Sequence, residues 1–438
     1  MKILTADHVL PVTSAPIANG AVVVDGSVIV EVGPADGLDS RFPGAERVDL
    51  GTAAILPGFV NCHSHLELTA LRGALDDVEH DFRSWLLKLN ALRAEMSEED
   101  IAEAAFQGAV EGAMAGVTCF GDIGRFGSAG LDALKRAGLR GIVFQETEFS
   151  PDDRTASDDF RSLIAKFQKL TDGMTDLVRV GISPHAPYTV SSSLFEMIAQ
   201  AAIIDRIPIT IHAAESAEEM ELMRTGNGFF TEIYDRFDVE WNSPRCTSVE
   251  YLERLGVLAA RPLLAHCVEV SAGDIERIAA NGARVAHCPK SNAKFGHGCA
   301  PFEAFINAGV PTGLGSDSVA SNNVCDLLEE GRFAALAARN RPGSERFLTP
   351  REIIRVMTLG GAEALGLDAA VGSLEPGKEA DLAVVTLDHA AQLPVNDVES
   401  AIVFASNARD VSMTIVAGEI VYERPNYSGK TSSSSERR

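Results

Sequence analysis

From Val60 to Ser318 the chain repeats one pattern: a short apolar run, then a stretch with apolar residues at helical spacing. The runs are carried by PGFVNCHSHLE (57–67), VTCFGDIG (117–124), GIVFQETEF (141–149), LVRVGISPHAPYT (177–189), IPITIHAAE (207–215), RPLLAHCVEV (261–270), ARVAHCP (283–289) and VPTGLGSDS (310–318). Helices are expected over 82–94, 98–115, 128–137, 158–170, 191–203, 247–255, 272–280 and 301–307. Strands that alternate with helices make a parallel sheet, because a parallel connection needs a crossover. Eight units of this kind predict a closed barrel.

The polar residues fall at one place in that pattern. His63, His65, His185, His212, His266, His287 and Asp317 all follow the apolar part of their runs. They therefore sit at the C-terminal ends of the strands, where barrels of this type carry their chemistry. His63 and His65 are two residues apart, so on a strand both imidazoles face the same side and can reach one ion. A lone HxH also fits two hydrogen-bonded core histidines. The further histidines and Asp317 at equivalent positions favour a metal site. Cys62 faces the opposite side and is expected in the barrel wall, and Phe82 and Trp85 have the spacing of core residues.

Outside the barrel both ends are rich in strands. AVVV (21–24) and VIVEV (28–32) flank Asp25-Gly26, a hairpin signal. A helix is expected over 350–366, then a turn followed by a strand over 372–388, and further strand-like runs at 401–407 and 411–423. The fold class is thus α/β, a distorted (β/α)8 barrel (57–366) beside a small composite β-sandwich domain built from 1–56 and 367–425. A disordered polar tail is expected over 426–438.

Composition narrows the partners. A formal net charge of −24 disfavours nucleic acid and anionic membranes. No apolar segment is long enough to span a bilayer, and the N-terminus lacks a secretion signal. Seven scattered cysteines without a CxxC read as reduced thiols, so a cytoplasmic location is expected.

The motifs PGFVNCHSHLE, SPHAPYT (183–189), HAAE (212–215), AHCPKSN (286–292), GSDSVASNN (315–323) and GSLEPGKEADL (372–382) together resemble the amidohydrolase superfamily. The resemblance covers nearly the whole chain. It lies in the branch of hydrolytic deaminases and chlorohydrolases that includes methylthioadenosine/S-adenosylhomocysteine deaminases. It implies a distorted barrel flanked by a composite β-domain, with His63, His65, His212 and Asp317 as metal ligands. Three imidazoles and a carboxylate suit Zn²⁺ and also Fe²⁺. Bimetallic relatives carry a bridging carboxylated lysine on the fourth strand. That run here, LVRVGISPHAP, has no lysine, so one divalent metal is expected.

The resemblance also implies roles. Glu215 protonates the ring nitrogen of a base, Asp317 accepts the proton of water, and His266 holds the nucleophile and the tetrahedral intermediate. His185 binds substrate. His287 is expected to brace its loop through hydrogen bonds. Lys290 and Asn292 are candidates for the pocket wall, His297 for substrate contact, and Glu67 for either loop support or substrate contact.

One departure concerns the sugar. The deaminases named above carry a ribose-binding glutamate in a Trp-Pro-x-Glu segment, whereas this chain has SWLLKLNALRAE (84–95). HLELTALRG (65–73) and the following helix resemble aminodeoxyfutalosine deaminases more closely. Such a substrate has a carboxylate, for which Arg72, Arg125 and Lys294 are candidate partners. The expected function is hydrolytic deamination of an adenine-type nucleoside, by a dimer or tetramer. The alternatives are deamination of guanine or cytosine, hydrolytic dechlorination of a triazine, and a non-catalytic barrel that binds metal and ligand.

Overall fold

The computed structural model describes residues 1–344, 346–425 and 430–431. The N-terminal strands are β1 (Lys2–Val9), β2 (Ile17–Asp25), β3 (Val28–Pro34), β4 (Glu46–Asp49) and β5 (Ala53–Pro57). The apolar run 53–60 splits at Gly58, where a Cβ would lie 2.1 Å from Thr118. Beyond the split the chain leaves the outer sheet and enters the barrel as β6 (Phe59–Ser64).

The barrel strands continue with β7 (Val117–Gly124), β8 (Arg140–Glu146), β9 (Val178–Ser183), β10 (Thr210–Ala213), β11 (Leu263–His266), β12 (Arg284–His287) and β13 (Thr312–Leu314). β6 to β9 pair in parallel and in chain order, as do β10 to β13. Parallel bridges Ile182↔Ile209 and Ser64↔Asp317 join the two sheets at their seams. At these seams Ile182 N donates to Pro208 O and Asp317 N to His63 O, each at 2.9 Å. The eight strands thus form one ring, and the seam at Asp317 brings the last strand end against the first.

The helices begin where the sequence provides caps. Ser97 and Ser271 form capping boxes with Asp100 and Asp274, and Ser191, Ser216 and Thr247 cap their helices with side-chain oxygens. Helix Glu98–Met114 lies close to β7 because Gly112 has no Cβ; one would sit 2.2 Å from the Phe120 ring. Phe120 and Val143 face such helices. Their neighbours Cys119, Ile142 and Phe144 face inward, against Val60, Cys62, Leu263, Ala286 and Leu365.

The last strands are β14 (Leu382–Thr386), β15 (Val411–Val416), β16 (Glu419–Glu423) and β17 (Lys430–Thr431). With β1 to β5 they make one nine-stranded sheet, ordered β16-β15-β14-β5-β1-β2-β3, with β4 on β1 and β17 on β4. β1 changes partner along one edge, from β4 at Lys2–Thr5 to β5 at His8–Val9. The sheet encloses Leu4, Val22, Val24, Ile55, Leu382, Val384 and Ile415. The tail 426–438 lies outside the described residues apart from 430–431.

Two expectations fail. Cys62 packs inside the ring with Val60, Ile142 and Phe144 and does not face the opposite side, because a register shift between Asn61 and Ser64 breaks the strand alternation. AIVFASN (401–407) is not a strand: Val398–Ser400 is helical and Ala401–Ala405 continues as a π-type turn. The Asp397 side chain accepts from Ser400 N at 2.6 Å and starts this helix. Among the described residues no helix is long and apolar enough to cross a membrane, and all seven cysteines are free thiols.

Candidate active site

Strand ends bring His63, His65, His212, His266, Glu215 and Asp317 together. The candidate donor atoms of His63, His65 and His212 lie within 4.8 Å of one another. His65 Nε2 is 3.2 Å from His212 Nε2. Asp317 Oδ1 is 3.3 Å from His63 Nε2 and 3.6 Å from His65 Nε2. The backbone is strained where these side chains turn inward: Ala214, His266 and Asp317 have φ of 52°, 70° and 55°.

The surrounding groups set the tautomers. His65 Nδ1 faces the Ile123 carbonyl at 3.1 Å, and His212 Nδ1 faces the His185 carbonyl at 3.0 Å. Both Nδ1 atoms must carry the proton to bond a carbonyl, which turns the Nε2 lone pairs toward the cluster. His63 is fully buried, and among the described residues neither ring nitrogen has a hydrogen-bond partner, although Nε2 is in contact with Asp317 at 3.3 Å. Burial lowers the pKa of His63 to about 4 and that of His65 to about 3, so both rings are neutral near pH 7.

Burial alone pushes the Asp317 carboxyl up. The His63 contact and the charges of His63, His266 and His65 outweigh it and hold the group well below its ordinary range. Its other oxygen accepts from Ser291 Oγ at 2.6 Å and Ser321 Oγ at 2.9 Å. Neutral imidazoles, an ionised acid and an orphaned buried ring fit a divalent cation. A second donor set, His63, His266 and Cys288, is less suited, because burial raises the Cys288 thiol well above its ordinary pKa.

Glu215 has the opposite electrostatics. Burial raises its pKa to about 8, with His212 pulling the other way. The carboxyl therefore holds a proton near neutrality. His266 Nε2 is 3.7 Å and His297 Nε2 3.9 Å from Glu215 Oε1. His266 Nδ1 is fixed by Asn292 Oδ1 at 2.9 Å. Glu219 is fully buried and accepts from Ala214 N at 2.8 Å and Glu215 N at 2.9 Å. It grips the turn that aims Glu215.

The remaining candidates divide. His185 lies beside the cluster, its ring centroid 4.7 Å from that of His212, with Nδ1 2.8 Å from Thr189 Oγ1. Burial and nearby positive groups keep its pKa well below the ordinary value. His287 stacks on Phe302, and neither ring nitrogen has a hydrogen-bond partner among the described residues, so loop bracing by hydrogen bonds is not observed. Glu67 supports a loop: it accepts from Phe126 N at 3.0 Å and lies 3.3 Å from Arg93. Lys290 pairs with Glu329 at 2.8 Å. Arg72 pairs with Glu111, and Lys294 with Glu79 at 2.9 Å and Asp76 at 3.1 Å. Internal acids thus face all three candidate carboxylate partners, the third being Arg125, whose Nε lies 3.5 Å from Glu146. Phe82, Trp85, Tyr188, Phe230 and Phe295 form an apolar cluster with the buried leucines of 68–75. Phe82 and Phe295 pack against His297.

Ser291, Ser321, Glu219 and Glu146 are absent from the sequence reading. Ser291 follows HCPK and Ser321 lies within GSDSVASNN, so proximity to ligand motifs was their available signal. Glu146 and Glu219 have none beyond position.

The amidohydrolase family model matches residues 54–421, and a bacterial imidazolonepropionase-like composite domain matches 20–45. A 5-methylthioadenosine/S-adenosylhomocysteine deaminase of Pelotomaculum thermopropionicum is 32% identical, over 93% of this chain and 89% of its own. The crystal structure of an adenosine deaminase from Xanthomonas campestris with bound zinc superposes with a TM-score of 0.84 at 30% identity, covering 95% of this chain and 92% of that one. Helicobacter pylori aminofutalosine deaminase, in complex with methylthio-coformycin, has the same fold, with a TM-score of 0.81 at 24% identity over 96% of this chain and 100% of that one.

Proposed function

The chain belongs to the amidohydrolase family, and from that premise we propose that it hydrolytically deaminates an adenine-type nucleoside. Water replaces the exocyclic amine, and ammonia leaves. The reading extends to one zinc ion held by His63, His65, His212 and Asp317, and to a homo-oligomer working in the cytoplasm.

A divalent cation at those residues supplies Lewis acidity and brings the pKa of water toward about 7. The chain's own groups handle the protons. Glu215 gives its proton to a ring nitrogen, which makes the adjacent carbon electrophilic. Asp317, ionised at neutral pH, takes a proton from the attacking water and passes it to the departing amine; as the C–N bond breaks and the carbonyl forms, the second water proton returns to Glu215. His266, fixed by Asn292, steadies the developing oxyanion. His185 contacts the base or sugar from the neighbouring strand end.

The carrying observation is the convergence at one mouth of three imidazoles and Asp317 with Glu215 beside them, 3.7 Å from His266, where burial raises the Glu215 pKa and the neighbouring histidines lower that of Asp317. Such a split assigns acid and base. The deaminase relatives support the adenine nucleoside. Ammonia release from a panel of adenosine, 5′-modified adenosines, guanine, cytosine and a chlorotriazine tests it. Activity is expected on the adenosines. Glu215→Gln should lower kcat at least ~100-fold. A variant at full rate would remove the acid assignment, and no ammonia from any substrate would favour the non-catalytic barrel.

A further inference from the structure

The proposed mechanism leaves one buried acid at the barrel mouth unused. Glu146 ends β8, and residues alternate along that strand. Val143 faces the outer helices, whereas Ile142 and Phe144 pack inside the ring. The same alternation points Glu146 inward, at the C-terminal end, where the ligands converge. It is 4% exposed. A carboxylate oxygen lies within 4.8 Å of candidate donor nitrogens on His185 and His212.

Its charge is matched but its acceptor capacity is open. Arg125 Nε is 3.5 Å and His185 Nε2 3.9 Å away, within ion-pair range. Neither is a hydrogen bond, and among the described residues the side chain accepts none. A buried carboxylate in that state is costly unless a ligand supplies donors. The donors should be neutral. The Arg125 guanidinium already balances the charge, and a second cation would meet it together with the His212 side of the cluster.

We propose that Glu146 is a specificity-determining residue that accepts hydrogen bonds from the vicinal sugar hydroxyls of the nucleoside. Two oxygens on one planar group match two adjacent O–H donors. Arg125 orients the carboxylate, and His185 borders the same subsite. The assignment rests on the nucleoside reading above. It places sugar recognition on the third barrel strand, in a chain whose 84–95 segment has no Trp-Pro-x-Glu.

Adenosine and 2′,3′-dideoxyadenosine test it, each with the wild-type protein, Glu146→Gln and Glu146→Asp, all loaded with zinc. In the wild type, kcat/KM should be about 30-fold lower for the dideoxy substrate, because hydrogen bonds to a charged group are lost. Glu146→Gln should cost about 30-fold on adenosine, mainly in KM, and less than about 3-fold on the dideoxy substrate. Glu146→Asp should recover part of the adenosine loss. Metal content should stay the same in all three proteins. Equal losses on both substrates would overturn the proposal, and so would metal content that falls with the substitution, which would make Glu146 a ligand instead. A wild type inert on every nucleoside overturns the nucleoside reading and this assignment with it. A wild type active on adenosine but indifferent to the hydroxyls overturns this assignment alone.

Discussion

The grip of two serines on Asp317 gives a prediction whose size follows from the geometry. Ser291 and Ser321 donate to the same oxygen at 2.6 and 2.9 Å, and their hydroxyls are 3.0 Å apart. The other oxygen faces the imidazoles, so the serines decide how the carboxylate is turned. A hydrogen bond to a charged group contributes about 1.5–3 kcal/mol. Either serine alone can still donate, so Ser291→Ala or Ser321→Ala should each cost about 1 kcal/mol, or about 5-fold in metal affinity. The double variant leaves the oxygen without those donors in a buried setting and should lose about 30- to 100-fold. Losing both donors also raises the Asp317 pKa, so protons should compete with metal at higher pH than in the wild type. Metal retention would be measured against a buffered chelator series from pH 5 to 8, with thermal unfolding to show that the fold survives. A double variant that keeps metal affinity within about 3-fold would refute the reasoning.

Two other outcomes follow from buried groups. Glu215 must be protonated to act as the acid, and its pKa is raised to about 8, so kcat/KM should fall as pH rises through about 8; a flat profile to pH 10 would contradict the assignment. Asp122 and Glu330 are likewise raised to about 8, mainly by burial. A raised carboxyl stabilises the fold fully below its ordinary range and loses that contribution as pH rises to about 8, so the thermal midpoint should drop between pH 5 and 9. Gly313→Ala would put a Cβ 2.2 Å from Cys62 Sγ and 2.7 Å from Gly361 Cα. Backbone on one side cannot yield as a flexible tip would, so unfolding in urea should show a loss of about 1–3 kcal/mol.

The barrel was legible because its signals are local. Each apolar run reports its own burial, and each polar strand end reports its own position. His63, His65, His212, His266 and Asp317 could therefore be grouped before any contact was seen. Residues 401–405 show where that fails. A short apolar run fits a strand or a buried helix equally well, and the deciding feature was a single cap, Asp397. The reading likewise has no helix over Leu327–Asn340, whose small alanines give a weak apolar stripe. Glu219 and Glu146 were invisible for another reason. Their importance lies in what the fold places opposite them, two backbone amides for one and an open inward-facing position for the other. The candidate carboxylate partners show the same dependence, since only the structure reveals that Arg72 and Lys294 already face Glu111, Glu79 and Asp76.

The account centres on a single cation held by three imidazoles and Asp317, with Glu215 as the acid beside it. Titrating metal-free protein with zinc while recording ammonia release from adenosine tests that directly. The rate should climb linearly and level off at one equivalent of zinc per chain. A plateau at two equivalents, or no ammonia at any loading, would contradict it.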